Sequence, residues 1–373
     1  MRFGIPKDLH RHEHRVGLTP FGAARLTSLG HQVYLESGAG DECHFSDSDF
    51  AEAGAQTVYS RDEVYQRSDV VCRVRALDAE DVRMLRAGSI VCAFHHLAVA
   101  RKEVIHDLVE REITVIGYEI IEDATGQHPV LSALSEIAGR MTVHLAAELL
   151  QFESGGRGVL LGGVPGVPPA TAVILGAGTV GRTAARALAA CGAHVIVLDG
   201  TLANLRRVSA EIPFNIVTAI ASKRNLERYS AIADVLIGCV LIPGGRAPFL
   251  VTEEMVKRMK PGAAILDISI DQGGCIETSR PTTLDNPTFR VHGVTHYCVP
   301  NMTTNVPRTA SRVLTIAALQ YLVETAEKGV EAALRSDPGL AKGVYLYRGR
   351  FVHQPAATAL GMQAGSLETL LAT

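Results

Sequence analysis

The sequence has no long apolar run. No stretch approaches the roughly 20 apolar residues that a membrane-spanning helix needs, and residues 1–7 (MRFGIPK) do not begin an apolar segment of the signal-peptide kind. Long blocks of a single charge are also missing, and the formal net charge is −3. We therefore expect a cytoplasmic protein that binds small molecules and neither membranes nor nucleic acids.

Cysteines with the spacing of a metal or redox site are missing as well. The seven cysteines are odd in number, scattered along the chain and without a CxxC pair. This pattern argues against a disulfide framework and against a zinc site. His10, His12 and His14 alternate and could share one side of an extended segment, but no cysteine or carboxylate cluster completes a site. We therefore predict no metal.

A glycine-rich turn lies between two apolar runs near the middle of the chain. The run at 172–175 is followed by Gly176, Gly178 and Gly181 in a GxGxxG pattern, then by a helical segment and a second run that ends at Asp199. In a dinucleotide-binding βαβ unit such glycines allow a tight turn, backbone approach to a diphosphate and close helix packing. An acid after the second strand binds the ribose hydroxyls and repels a 2′-phosphate. These features predict NAD(H) rather than NADP(H).

Short apolar runs alternate with helical patterns on both sides of this turn, which predicts parallel sheets. The fold class is therefore α/β, with two Rossmann-like doubly wound domains joined by long helices and an active-site cleft between them. We expect a discontinuous substrate domain at 1–134 plus 305–373 and an NAD-binding domain at 135–304. Further expectations are a helix at 135–152, a strand at 264–270, a helix at 306–328 and a hairpin at 343–352.

Several strings spread over the whole chain resemble the alanine dehydrogenase family, whose relatives include the nucleotide-binding subunit of transhydrogenase. The matching strings lie at 4–7, 13–16, 18–20, 135–141, 155–167, 241–244, 271–275, 277–283 and 296–302.

The resemblance implies a reversible, NAD(H)-dependent amino-acid dehydrogenase that acts on L-alanine, or on a related amino acid, to give a 2-oxo acid and ammonium. It implies that Arg15 binds the substrate carboxylate, that His96 exchanges a proton and that Asp271 is the catalytic carboxylate. It also implies a homo-oligomer, with a hexamer expected. The expected cofactor-binding residues are Ser135, Gly176, Gly178, Thr179, Val180, Gly181, Asp199, Val240, Leu241, Ile268, Asp271, Asn301 and Met302.

The chain departs from the family at one position with chemical consequences. Arg75 occupies the place of the family's active-site lysine, and an arginine stays protonated, so it can bind a carboxylate but cannot act as a base. Nearby, His95 stands where an apolar residue is usual. A retuned substrate and neutral drift both explain these changes. Two alternatives stay open: an opine- or saccharopine-type dehydrogenase, and a non-catalytic nucleotide-binding paralogue.

Overall fold

The computed structural model describes residues 1–242 and 247–372. In this part of the chain there are two compact units. Unit 1 contains residues 1–134 and 304–372, and unit 2 contains residues 135–242 and 247–303. Pro243 and Gly244, which belong to one of the family-like strings, lie outside the described residues.

Short strands and helices alternate through the first part of unit 1. Its strands are β1 (Arg2–Ile5), β2 (Gln32–Glu36), β3 (Gln56–Val58), β4 (Val70–Arg75), β5 (Ile90–Phe94) and β6 (Thr114–Gly117). Its helices are α1 (Pro20–Ser28), α2 (Asp47–Glu52), α3 (Arg61–Arg67), α4 (Ala79–Met84) and α5 (Lys102–Glu110), with 3₁₀ turns at Asp41–Cys43 and Leu97–Val99. Side chains fix several starts: Ser46 begins α2 and Asp78 begins α4, each within a capping box.

Unit 2 follows a long helix, α6 (Pro129–Leu149). Its strands are β7 (Thr171–Leu175), β8 (His194–Asp199), β9 (Val217–Ile220), β10 (Val235–Gly238), β11 (Ala264–Asp267), β12 (Thr288–Val291) and β13 (Val294–Tyr297). Its further helices are α7 (Thr179–Ala190), α8 (Leu202–Glu211), α9 (Lys223–Ile232) and α10 (Glu253–Lys257), with 3₁₀ turns at Ile268–Gln272 and Met302–Asn305, the second of which runs into unit 1.

The last part of the chain completes unit 1. It forms α11 (Pro307–Lys328), α12 (Val330–Ser336), α13 (Pro338–Lys342), the strands β14 (Val344–Tyr347) and β15 (Arg350–Phe351), α14 (Gln354–Ala359) and α15 (Leu367–Ala372). Pro307 suits the first turn of α11, because its missing N–H would have no helical partner there. Strands β14 and β15 form the expected hairpin.

The sheet of unit 1 runs β15-β14-β6-β5-β4-β1-β2-β3 among the described residues. Strands β1 to β6 pair in parallel, and β14 joins β6 in the antiparallel sense. The chain winds first to one side of β1 and then, from β4, to the other. The carboxyl ends of β1 and β4 therefore meet at a topological switch point, where α/β sheets bind ligands.

Unit 2 is wound in the same way. Its described strands run β12-β13-β11-β10-β7-β8-β9, and the order reverses between β7 and β10. Valine and isoleucine side chains of these strands fill hydrophobic cores on both faces of the sheet. The glycine-rich turn leaves β7 at its carboxyl end, next to the end of β10, which is this sheet's switch point.

Two predicted elements have different bounds in the structure. The helix expected at 135–152 is Pro129–Leu149, since Pro129 provides an earlier first turn. The strand expected at 264–270 ends at Asp267, whose side chain accepts the N–H of Ser269 and begins a 3₁₀ turn. No helix in the described ranges combines the length and apolar character needed to cross a membrane.

Candidate functional site

Arginine and aspartate side chains occupy the switch point of unit 1. Asp8 follows β1, and its Oδ2 lies 3.0 Å from Nη2 of Arg73 on β4, while its Oδ1 lies 3.9 Å from Nη1 of Arg75. The Arg73 guanidinium is buried and also pairs with Asp81, which lowers the pKa of that carboxyl. Arg75 is one-third exposed. The switch point thus presents one accessible cation above a buried ion network.

Arg15 is held by a neighbouring carboxylate. Its Nε donates to Glu13 Oε1 at 2.7 Å and its Nη2 to Glu13 Oε2 at 2.6 Å, and both side chains are almost completely buried. A two-pronged pair of this kind fixes the plane of a guanidinium. The segment carrying Glu13 is itself tied to unit 1, because Thr304 Oγ1 donates to the carbonyl of His12 at 2.9 Å.

His96 follows β5 in a left-handed backbone conformation, with φ 46°. Such a conformation is costly for a residue with a side chain and needs support from its surroundings. Glu119, buried after β6, gives that support by accepting the His96 N–H at 2.6 Å and the His95 N–H at 3.1 Å. The imidazole of His96 stacks on Phe94 and is about a quarter exposed.

The two adjacent histidines have opposite environments. His95 is buried, and burial lowers its pKa to about 4, so its ring is neutral near pH 7. The partly exposed His96 is the member of the pair that a substrate can reach. Arg15, Arg75 and His96 each lie near a different carboxylate, namely Glu13, Asp8 and Glu119 respectively.

The three glycines of the GxGxxG turn in unit 2 have different surroundings. A Cβ on Gly176, whose φ is 100°, would lie 2.7 Å from the carbonyl oxygen of Cys239, and one on Gly181 would lie 1.9 Å from that of Gly176. A Cβ on Gly178 would meet nothing within 4 Å. Close packing at the outer glycines and open space at the middle one are what a diphosphate beside the backbone requires.

Asp199, the last residue of β8, binds the backbone of the same turn. Its Oδ2 accepts the N–H of Ala177 at 2.8 Å, and its Oδ1 accepts the N–H of Thr201 at 2.8 Å and the amide of Asn204 at 3.1 Å. Thr179 and Val180 form the first turn of α7, whose N–H groups point out of the helix end. The turn, the helix end and the acid therefore form one continuous surface that fits a dinucleotide.

Other predicted cofactor residues surround this turn to different degrees. Val240 follows β10 beside Gly176, since its nitrogen would lie 3.3 Å from a Cβ there. Ser135 lies one turn before Gly139, where α6 packs closely on Val180 and Thr183 of α7. Leu241 is exposed and Ile268 is partly buried. The Met302 side chain packs in the core of unit 2.

Asp271 and Asn301 are brought together in unit 2. Asp271 is the exposed residue of the 3₁₀ turn after β11, and its Oδ1 accepts the N–H of Asn301 at 2.9 Å. Asn301 has a left-handed backbone, with φ 52°. Beneath the turn, Asp267 is buried, and burial raises the pKa of its carboxyl although the N–H of Cys275 donates to it. The turn that presents Asp271 thus has a buried polar anchor.

Sequence reasoning assigned no role to the anchoring residues Asp8, Glu13 and Glu119. Glu13 stands two positions from Arg15, a spacing that places side chains on one side of an extended segment, so its pairing had a readable signal. Asp8 and Glu119 follow strand ends, which is also a signal, but their partners lie far away in sequence.

The histidines at 10, 12 and 14 do not form one group. His14 pairs with Glu42, whereas the rings of His10 and His12 lie 6.0 Å apart. Within 1–242 and 247–372, no group of three potential ligands is placed to hold a metal ion.

Models of one family match both halves of the chain. The alanine dehydrogenase/PNT N-terminal domain matches residues 4–138, and the alanine dehydrogenase/PNT C-terminal domain matches residues 142–354. Alanine dehydrogenase of Mycobacterium tuberculosis (strain H37Rv) is 45% identical over 97% of this chain and 97% of its own length. That of Halomonas elongata is 39% identical over 97% and 98%.

Solved structures agree with these relatives. An L-alanine dehydrogenase structure superposes with a TM-score of 0.90 at 38% identity, covering 97% of this chain and 99% of that one. A transhydrogenase from Sinorhizobium meliloti superposes with a TM-score of 0.77 at 26% identity, covering 95% and 99%. The relatives confirm the predicted fold class and favour the amino-acid dehydrogenase prediction over the opine-type and non-catalytic alternatives.

Proposed function

Since this chain belongs to the alanine dehydrogenase/PNT family, we propose that it interconverts L-alanine with pyruvate and ammonium as an NAD(H)-dependent oxidoreductase. One observation carries the proposal: the family match spans both units, and both kinds of residue that the reaction needs are present. Unit 1 carries two arginines and a partly exposed histidine. Unit 2 carries the glycine turn and Asp199.

Unit 2 fits NAD(H) by its own geometry. NAD(H), when bound, accepts or supplies the hydride of the reaction. The open backbone at Gly178 and the first turn of α7 would hold its diphosphate, and Asp199 would accept hydrogen bonds from the adenine ribose. Ser135, Val240, Leu241, Ile268, Asn301 and Met302 complete the proposed cofactor-binding set.

In unit 1 we assign substrate binding to Arg75 and Arg15. Arg75 is the more accessible, and Asp8 near it limits the directions in which its guanidinium can point. Glu13 fixes the guanidinium plane of Arg15. A guanidinium has five N–H donors and no acceptor, so both side chains suit binding and orienting a carboxylate and do not suit proton transfer.

Proton transfer then falls to groups other than Arg75. His96 carries an imidazole, the usual side chain for general acid–base work, and its left-handed turn presents that ring beyond the end of β5. Asp271, on the 3₁₀ turn after β11, would accept hydrogen bonds from ammonium or from a substrate amine. In this assignment His96 exchanges the proton and Asp271 orients the nitrogen.

The test is the initial rate of NADH oxidation with ammonium and a panel of 2-oxo acids. We expect pyruvate to be the best substrate and His96→Gln to lower kcat by about 100-fold or more, in the range of general acid–base catalysis. His106→Gln, on the exposed face of α5, is the matched control and should retain the rate. Absence of NADH oxidation with every acid, in protein that is folded by circular dichroism, would refute the proposal.

The Arg75→Lys variant tests whether Arg75 determines which acid the enzyme prefers. If the arginine is neutral drift, Arg75→Lys changes the rate on pyruvate by less than about threefold. If the pocket is retuned, wild type prefers an acid larger than pyruvate, and Arg75→Lys moves the preference toward pyruvate.

We also propose that the chain works in the cytoplasm as a homo-oligomer, a hexamer by resemblance to its family.

A further inference from the structure

The C-terminal hairpin sends a tyrosine to the carboxylate that supports His96. Tyr345, on β14, is completely buried, and its hydroxyl donates to Glu119 Oε1 at 2.8 Å. The same oxygen accepts the N–H of His96 at 2.6 Å. A single carboxylate oxygen therefore links the hairpin, more than 220 residues away along the chain, to the turn that carries the histidine.

Packing leaves the Tyr345 ring little freedom. It lies against the backbone of Gly117, where a Cβ would come within 2.3 Å of its Cε2 atom, and the ring of His353 meets it edge-on at 5.0 Å. Burial raises the pKa of Tyr345, so the hydroxyl keeps its proton and acts as the donor. A fixed ring with a fixed donor sets where the Glu119 carboxylate lies.

We propose that Tyr345 is a positioning residue for the reaction: through Glu119 it holds the left-handed turn that presents the His96 imidazole. The turn needs such support because a residue with a side chain disfavours positive φ. Without the hydroxyl, the carboxylate keeps its two N–H donors from residues 95 and 96 but loses its contact with the hairpin. This inference rests on the proposed role of His96.

Tyr345→Phe tests the proposal, because it removes one oxygen and keeps the packed ring. We expect kcat to fall by about tenfold, the effect of losing one buried hydrogen bond to a charged acceptor. The KM values for NADH and for the 2-oxo acid should change by less than about twofold, because no substrate-binding residue is altered. Tyr347→Phe is the matched control: it lies on the same strand, and its hydroxyl lies 3.3 Å from Glu331, so it should retain kcat.

Amide hydrogen exchange gives a readout that does not depend on turnover. In Tyr345→Phe the amides of residues 95 and 96 should exchange about tenfold faster or more, while those of β6 and β14 stay as in wild type. A purely structural role would speed exchange along both strands as well. In wild type itself, an unprotected His96 amide would already contradict the proposal.

The outcomes separate the two proposals. If wild type fails to oxidise NADH with any of the 2-oxo acids, the proposed function fails. Amide exchange at residues 95 and 96 still reports on the support of the turn in that case. If wild type is active and Tyr345→Phe keeps both its kcat and its exchange pattern, the positioning role of Tyr345 is wrong.

Discussion

One turn gives two adjacent residues, His95 and His96, different degrees of burial. The left-handed backbone of His96 sends its ring toward solvent, whereas the ring of His95 is buried, with one nitrogen 3.4 Å from the carbonyl of Val91. Burial lowers the pKa of His95 to about 4, below its ordinary value of 6.5. The buried ring is therefore neutral in the folded protein near pH 7, and the partly exposed ring of His96 is the one that a substrate can reach.

His95 should make the protein less stable in acid. The unfolded chain takes up a proton on this ring near pH 6.5, but the folded chain does so only near pH 4. The contribution of His95 to stability is therefore constant well above pH 6.5 and falls as the pH drops from there toward 4. His95→Leu should reduce the loss of unfolding free energy between pH 7 and 4.5 by about 2 to 3 kcal/mol. Urea denaturation at both pH values measures this, and an unchanged loss would contradict the assignment.

At the scale of elements, different glycines of the turn between β7 and α7 serve the packing of the fold and the binding of the cofactor. Gly181 has a carbonyl oxygen 1.9 Å from where its Cβ would lie, whereas Gly178 has open space and an ordinary φ of −68°. The two glycines thus have different requirements: Gly181 lets the helix pack on the strand, and Gly178 leaves room beside the backbone.

Alanine substitutions at these two positions should have different effects. Gly181→Ala should lower the unfolding free energy by at least about 2 kcal/mol, because a backbone atom must shift. Gly178→Ala should change stability by less than about 0.5 kcal/mol and raise the Kd for NADH by about tenfold or more, a change of about 1.4 kcal/mol in binding. Thermal melting and NADH fluorescence titration measure the two effects. Equal destabilisation by both variants would be the contrary result.

Elements with strong local signals could be predicted from the sequence. The glycine turn, its flanking strands and α11 follow from apolar runs, glycine spacing and a proline in the first helical turn. The end of β11 could not be predicted. It depends on Asp267, whose carboxylate accepts an N–H from Cys275, eight residues further on, as well as from Ser269. Periodicity alone extends that strand by three residues, because Ile268 and Ile270 are apolar and flank Ser269.

At the scale of the whole molecule, the proposed site residues are divided between the two units. Arg15, Arg75 and His96 are in unit 1, and the glycine turn, Asp199 and Asp271 are in unit 2. The carboxylates that hold them were harder to predict, because Glu119 reaches its partners through neighbouring strands and Tyr345 comes from the far end of the chain. Contacts between residues on neighbouring strands depend on the order of the strands in the sheet, and the spacing of residues along the sequence does not reveal that order.

The proposed homo-oligomer is a further property of the whole molecule. We expect light scattering coupled to size exclusion to give about six times the mass of one chain, 39.8 kDa, since oligomers close by symmetry into a small number of states. The mass should not change between about 1 and 50 µM if the assembly is obligate. A monomer across that range would exclude the oligomer.

The discontinuity of unit 1 also orders the events of protein synthesis. The seven described strands of unit 2 lie within residues 171–297, so that sheet can assemble while translation continues. Strand β6 receives its outer neighbour, β14, only after residue 344 has been made. At about 5–20 residues per second, the edge of β6 waits roughly ten seconds or longer without a partner. An unpaired edge strand is a site for aggregation, so the nascent chain is open to wrong strand pairing at β6 during this interval.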